Sequence, residues 1–162
     1  MKIKANFVLF SVVSILLIAA YANAQDMSHG TNVADRKLTT LPPFPTCARG
    51  AVQSGDPSKG SSIIYASIAP GCTIPWHWHT PNEHVIISSG VARIDSKGEK
   101  SMTLTSGGYV MVPSKHIHQF HCIKECRIFV HSDAPFDMHY VDAKGEEITP
   151  AAANKAVKQT AA

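Results

Sequence analysis

The chain has 162 residues, room for one domain, with 15 Lys+Arg against 12 Asp+Glu and a formal net charge of +3. That balance carries no basic stripe or block, which excludes a nucleic-acid or membrane-surface charge pattern. The sequence also holds no internal repeat, no low-complexity run and no Asn-x-Ser/Thr acceptor.

The N-terminus reads as an export signal, residues 1–24. Lys2 and Lys4 precede an apolar run from Phe7 to Ala20, and Ala22-Asn23-Ala24 supplies a small-x-small cleavage pattern. The run is shorter than the roughly 20 residues a membrane span needs. Cleavage after Ala24 is expected, leaving a secreted or periplasmic chain that starts at Gln25 and is not held at the membrane. No cysteine near the cut offers a lipid anchor, and no Arg-Arg pair marks the twin-arginine route.

Residues 25–43 are polar and poorly patterned, an arm ending in Leu41-Pro42-Pro43, with His29 read as a solvated tail residue. A folded domain over 44–148 follows, then a tail over 149–162. Short apolar segments alternate with turns at Ala48–Gln53, Ser62–Ala69, Thr73–His79, Glu83–Ser89, Val91–Asp95, Met102–Leu104, Tyr109–Val112, Ile117–Cys122, Arg127–His131 and Met138–Val141. Many short strands without a helix between them predict an all-β sandwich or barrel. Gly55–Ser61 (GDPSKGS) superficially has the look of a phosphate loop, but Ser61 stands where lysine is needed and strands flank it. Thr149-Pro150 reads as an N-cap with proline at the first helical position, predicting a short helix over Ala151–Gln159.

Four cysteines, Cys47, Cys72, Cys122 and Cys126, remain after cleavage, and an even count in an exported chain favours disulfides. A hairpin over Ile123-Lys124-Glu125 would set Cys122 opposite Cys126, within a disulfide's reach. Cys47 with Cys72 is then the other expected pair.

The stretch Gly71–Gly90, GCTIPWHWHTPNEHVIISSG, is the most informative. Residues two apart share a strand face, so His77 and His79 can converge on one point. Thr80-Pro81-Asn82 reads as a turn that returns Glu83 on the next strand. Two imidazoles and a carboxylate on one interior suit a transition metal. Further on, GGYVMVPSKHIHQFHC offers His118 on another apolar strand.

Gly71, the His-x-His pair, Glu83 and Gly90 match every defined position of the first cupin motif, which this chain therefore resembles. The second motif matches at Gly107, Pro113 and His118, with Lys115 replacing a glycine and Cys122 an asparagine, departures on turn and packing positions. GDPSKG also recurs in a group of small bacterial cupins that the chain resembles over Thr46–Glu147. The resemblance implies a jelly-roll barrel (the double-stranded β-helix), with His77, His79, Glu83 and His118 as ligands to one divalent metal ion. It also implies a homodimer and a small-molecule ligand or substrate.

Three imidazoles and one carboxylate leave open positions, unlike the closed, cysteine-rich site expected of structural zinc. The donor set accepts Mn, Zn, Fe, Cu or Ni, and export tilts the choice toward Mn, Zn or Cu. Strict alternation places Thr73 and Pro75 inward with the histidines. It places Trp76 and Trp78 on the opposite face, where they need cover from another sheet, the arm or a second chain. His116 and Phe120 would face in with His118, giving His116 an outer-sphere or acid–base role, while His84, His121 and His131 face out and His139 has no assigned role. Members with this ligand set include dioxygenases, so the expected function is a metal-dependent, dioxygenase-type enzyme on a small organic substrate. A non-catalytic metal-dependent binder or sensor, and germin-like oxalate or superoxide chemistry, are the alternatives.

Overall fold

A computed structural model describes residues 28–157; the expected signal segment lies outside the described residues. A 3-10 turn at Val33–Asp35 precedes β1 (Thr39–Thr40), β2 (Ala48–Gly55), β3 (Ser62–Ile68), β4 (Thr73–Trp78), β5 (Glu83–Ser96), β6 (Met102–Thr105), β7 (Tyr109–Val112), β8 (His118–Ser132) and β9 (His139–Tyr140). All strand pairings are antiparallel, in the order β1-β2-β3-β8-β4-β9, with β5 on β8 and β6 and β7 on β5.

The pattern on β5 shows why the sheet closes. Glu83, Val85 and Ile87 are buried while Ile86 and Ser88 are exposed, the period of a half-buried strand. Inward residues of β3, β4, β5 and β8, among them Ile68, Ile74, Ile87, Ile94, Phe120 and Ile128, fill one core. This is the all-β architecture expected from the strand spacing, of the jelly-roll type that the cupin resemblance implies.

Two long strands replace four expected short ones. β5 runs straight through Gly90, and β8 through Ile123–Glu125, with register shifts between Ile87 and Ala92 where the two face each other. Gly90 sits at φ +91°, and a Cβ there would lie 2.1 Å from the Glu125 carbonyl oxygen. Glycine here is a bulge that lets the backbones approach, not a strand terminator.

The same continuity corrects the Cys122–Cys126 expectation. Without a hairpin the two residues lie along one strand, and both are buried free thiols. The Cys126 N–H donates to Cys122 Sγ at 3.0 Å, and the thiols donate to the Ile68 and Val91 carbonyls. Burial pushes both thiol pKa values up, which keeps them protonated. Cys47 and Cys72 form a disulfide, with Cα atoms 5.8 Å apart, joining the entries to β2 and β4.

Part of the arm is ordered. β1 pairs with β2, and the Arg36 guanidinium lies 4.2 Å from the Tyr65 ring centroid. At the other end α1 (Pro150–Ala156) begins at Thr149, whose hydroxyl accepts from Ala152 N–H, and rests on β4 with Ala153 buried.

Candidate metal centre

β4 and β8 place His77 directly across from His118, and β5 starts with Glu83 beside them. His77, His79 and His118 are 2–3% exposed and Glu83 is 8% exposed. One ligand atom from each imidazole lies within 4.8 Å of the others. The ring centroids are 4.8 Å apart for His77–His79, 4.2 Å for His77–His118 and 5.4 Å for His79–His118. The Glu83 carboxylate lies 3.2 Å from His118 Nε2 and 3.8 Å from His79 Nε2.

The outward nitrogens fix the tautomers. His77 Nδ1 donates to the Pro75 carbonyl at 2.6 Å, His118 Nδ1 to the His116 carbonyl at 3.0 Å, and His79 Nδ1 to the Asp137 carbonyl. A carbonyl only accepts, so Nδ1 carries the proton and each Nε2 presents a lone pair inward. Such backbone acceptors are what orients metal-bound histidines. His79 Nε2 is buried with no hydrogen-bond partner, an orphan that a cation would satisfy. Burial, with His118 and His79 close by, holds the His77 pKa well below its usual value; burial likewise lowers that of His79. Burial works against the Glu83 carboxylate, but His79 and His118 outweigh it and hold its pKa below the usual range. Neutral imidazoles beside an ionised carboxylate are the state in which ligands bind a metal. The residues fit one divalent ion.

The alternation expected along β4 breaks at a register shift between Ile74 and His77. Pro75 has no N–H for the ladder, and the irregularity shifts the phase. Ile74, rather than Thr73, therefore lines the cavity with His77, while the Thr73 hydroxyl bonds His121 Nδ1 at 2.8 Å. His116 precedes β8, and its imidazole lies 3.4 Å from the Glu99 carboxylate; only its carbonyl serves the cluster. Trp78 stacks on His139 at 3.8 Å and Trp76 lies under Lys97 Nζ at 5.7 Å, so both aromatics, partly buried, find part of their cover within the chain.

Two contributors carried no sequence signal. Phe136 stacks on the His79 ring at 4.2 Å, and the Asp137 carboxylate accepts from Thr80 N–H at 2.7 Å and from its hydroxyl. Together they tie the segment between β8 and β9 to the turn before Glu83. An aromatic-acid pair in a loop has no period that would single it out.

Below the cluster lies a cavity of about 50 Å³, lined by Ile68, Ile74, Val85, Ile94, Phe120 and Phe136 among others. A single water needs roughly 10–15 Å³ on this measure, so there is room for a small ligand.

The cupin domain model matches residues 64–132, a span that contains all four cluster residues. Residues 64–132 form a cupin domain. Among solved structures the cupin resembles the polyketide cyclase RemF from Streptomyces resistomycificus, with TM-score 0.62 and 15% identity over 72% of this chain and 87% of that one. It resembles an RmlC-like cupin protein from Ralstonia eutropha, with TM-score 0.60 and 17% identity over 76% and 78%. It also resembles the DMSP lyase DddQ from Ruegeria pomeroyi, with TM-score 0.54 and 17% identity over 72% and 61%. Identities this low establish the cupin fold and no particular activity. No curated protein matches the sequence significantly. The disulfide of this cupin fits an extracellular protein, and no helix among the described residues is long and apolar enough to cross a membrane.

Proposed function

We propose that the mature protein is exported, binds one divalent metal through His77, His79, Glu83 and His118, and acts as a dioxygenase-type enzyme on a small, largely apolar organic molecule. The observation that carries this reading is the set of three buried imidazoles, Nδ1 committed to backbone and Nε2 turned toward one carboxylate, at the head of an apolar cavity. The ion, when bound, supplies Lewis acidity and open positions where a chelating substrate and oxygen can meet. The chain's own residues keep the imidazoles unprotonated, hold their planes and line the cavity with hydrocarbon that keeps water out.

The cavity lining also favours a substrate class. Apart from the cluster, its one charged side chain is Arg49, which is exposed and donates to the Leu38 carbonyl. A dianion such as oxalate would lose its hydration there without a buried cation to replace it. A neutral or singly charged phenol or diketone, with two oxygens for the metal and carbon skeleton for the walls, suits the cavity better.

Mature protein loaded with Mn, Fe, Cu, Ni or Zn is to be screened against small phenols, diketones, flavonols and oxalate, following oxygen uptake and thermal shift together. Oxygen consumption that requires both metal and an apolar chelating substrate is the expected result. Stabilisation by a ligand that is never consumed would replace the enzyme with a binding protein, and turnover of oxalate would overturn the substrate class.

A further inference from the structure

The face of β5 and β8 that points away from the cavity carries a second imidazole pair that the centre does not use. His84 and His131 are direct cross-strand partners, and Met111 on β7 is the partner of His84 on its other side. Directly opposed residues of antiparallel strands project to the same face with Cβ atoms about 4.5–5.5 Å apart. The row Met111–His84–His131 therefore presents a thioether and two imidazoles side by side. Both rings are half-buried and Met111 is 44% exposed.

The separation is that of a ligand pair. The His84 and His131 centroids lie 5.5 Å apart, against 5.4 Å for His79 and His118 in the buried cluster. Each ring is also anchored through one nitrogen only. His84 Nδ1 is 2.8 Å from the Tyr109 hydroxyl, and His131 Nε2 is 3.3 Å from the Ser61 hydroxyl. His84 Nε2 and His131 Nδ1 remain as donors, each oriented by an outer hydroxyl as metal-bound imidazoles usually are. Two nitrogens with a soft sulfur alongside match copper better than manganese, magnesium or calcium, which prefer oxygen.

We propose that His84, His131 and Met111 form a second metal site, on the outer surface, that takes copper. It shares no ligand with the buried centre and stands whether or not that centre turns over a substrate.

The test is a copper titration of the mature chain against a competing chelator, with Ag(I) as the stand-in for Cu(I). Wild-type protein is expected to bind two equivalents of Cu(II), and His84→Ala/His131→Ala one. Tyr109→Phe should weaken the outer equivalent by about tenfold, the lower range for losing an outer partner. Met111→Leu should reduce Ag(I) binding more than Cu(II) binding. His121→Ala should change nothing, since that ring is engaged with Thr73 on another part of the surface. A His77→Ala/His118→Ala chain should keep only the outer equivalent; if it fails to fold, the wild-type comparison with His84→Ala/His131→Ala decides alone. Equal copper stoichiometry and affinity in wild type and His84→Ala/His131→Ala would overturn the site. So would Mn(II) binding there as tightly as copper.

Discussion

The two faces of β5 and β8 use the same side chain for different ends. Inside, three buried histidines give Nδ1–H to backbone carbonyls and leave Nε2 among themselves and one carboxylate. Outside, His84, His121 and His131 are half exposed and pair with hydroxyls of Tyr109, Thr73 and Ser61. Burial decides the difference: an unpaired imidazole nitrogen is tolerable at the surface and costly in an apolar cavity. In the proposed reading a cation completes what lacks a partner inside.

Breaking the inner set should have the largest effect. His118→Ala or Glu83→Gln is expected to cost more than the roughly ten- to hundredfold in metal affinity that an outer partner contributes. His121→Ala, one face over, should leave metal content unchanged. Inductively coupled plasma analysis of the purified variants reads both; equal losses from the inner and outer variants would erase the distinction between the faces.

The next effect concerns the frame that holds the faces apart. The Cys47–Cys72 disulfide closes a sequence separation of 25 residues, and its removal as Cys47→Ala/Cys72→Ala should lower stability by about 3 kcal/mol. Cys122→Ala, a change at a free thiol, should not abolish that disulfide. Denaturant unfolding and non-reducing peptide mapping check the two statements, and a Cys122–Cys126 bridge in the map would contradict the continuous β8 strand.

Phe136→Ala sharpens the inner geometry itself. Loss of the ring stacked on His79 should weaken metal binding by about tenfold while the site persists, the loss expected of an outer support. Unchanged affinity would mean the Asp137 carbonyl orients His79 without it.

How much of this could be read from the chain divides along backbone and side chain. His77, His79 and Glu83 are legible because two-residue periodicity and a three-residue turn fix which face they share, and His118 because it opens another apolar strand. The phase of β4 was not legible, because Pro75 marks an edge strand as readily as a bulge, and only the fold shows the register shift between Ile74 and His77. Gly90 carries such a mark but it is ambiguous, since glycine ends strands as readily as it lets them bend past each other. The carbonyls of Pro75, His116 and Asp137 are invisible for a simpler reason: any residue can supply one. Lys115 is the reverse case. It replaces the motif's glycine yet adopts φ +60°, and its N–H donates to the His79 carbonyl at 2.8 Å. The left-handed turn survives at a cost, so Lys115→Gly should leave metal affinity intact and change stability by no more than about 1 kcal/mol, upward, in thermal unfolding.

Acid should act mainly through the inner face. In metal-free protein His77 and His79 have folded pKa values below their usual 6.5, so below about pH 6.5 the unfolded chain binds protons that the native chain does not. Stability is full above that pH and falls as pH drops below it, and the depressed Glu83 adds a further loss below its usual 4.5. Replacing His77 by Ala should flatten the first phase.

Metal stoichiometry tests the central claim most directly. Mature protein, dialysed against Mn(II) and then against chelator-treated buffer, should retain one ion per chain, and His77→Ala/His118→Ala none, with circular dichroism showing the strands intact in both. Manganese is the ion of choice because its preference for oxygen donors keeps it off the outer imidazole–thioether row. One ion per chain in both proteins would show that the buried histidines do not hold the metal.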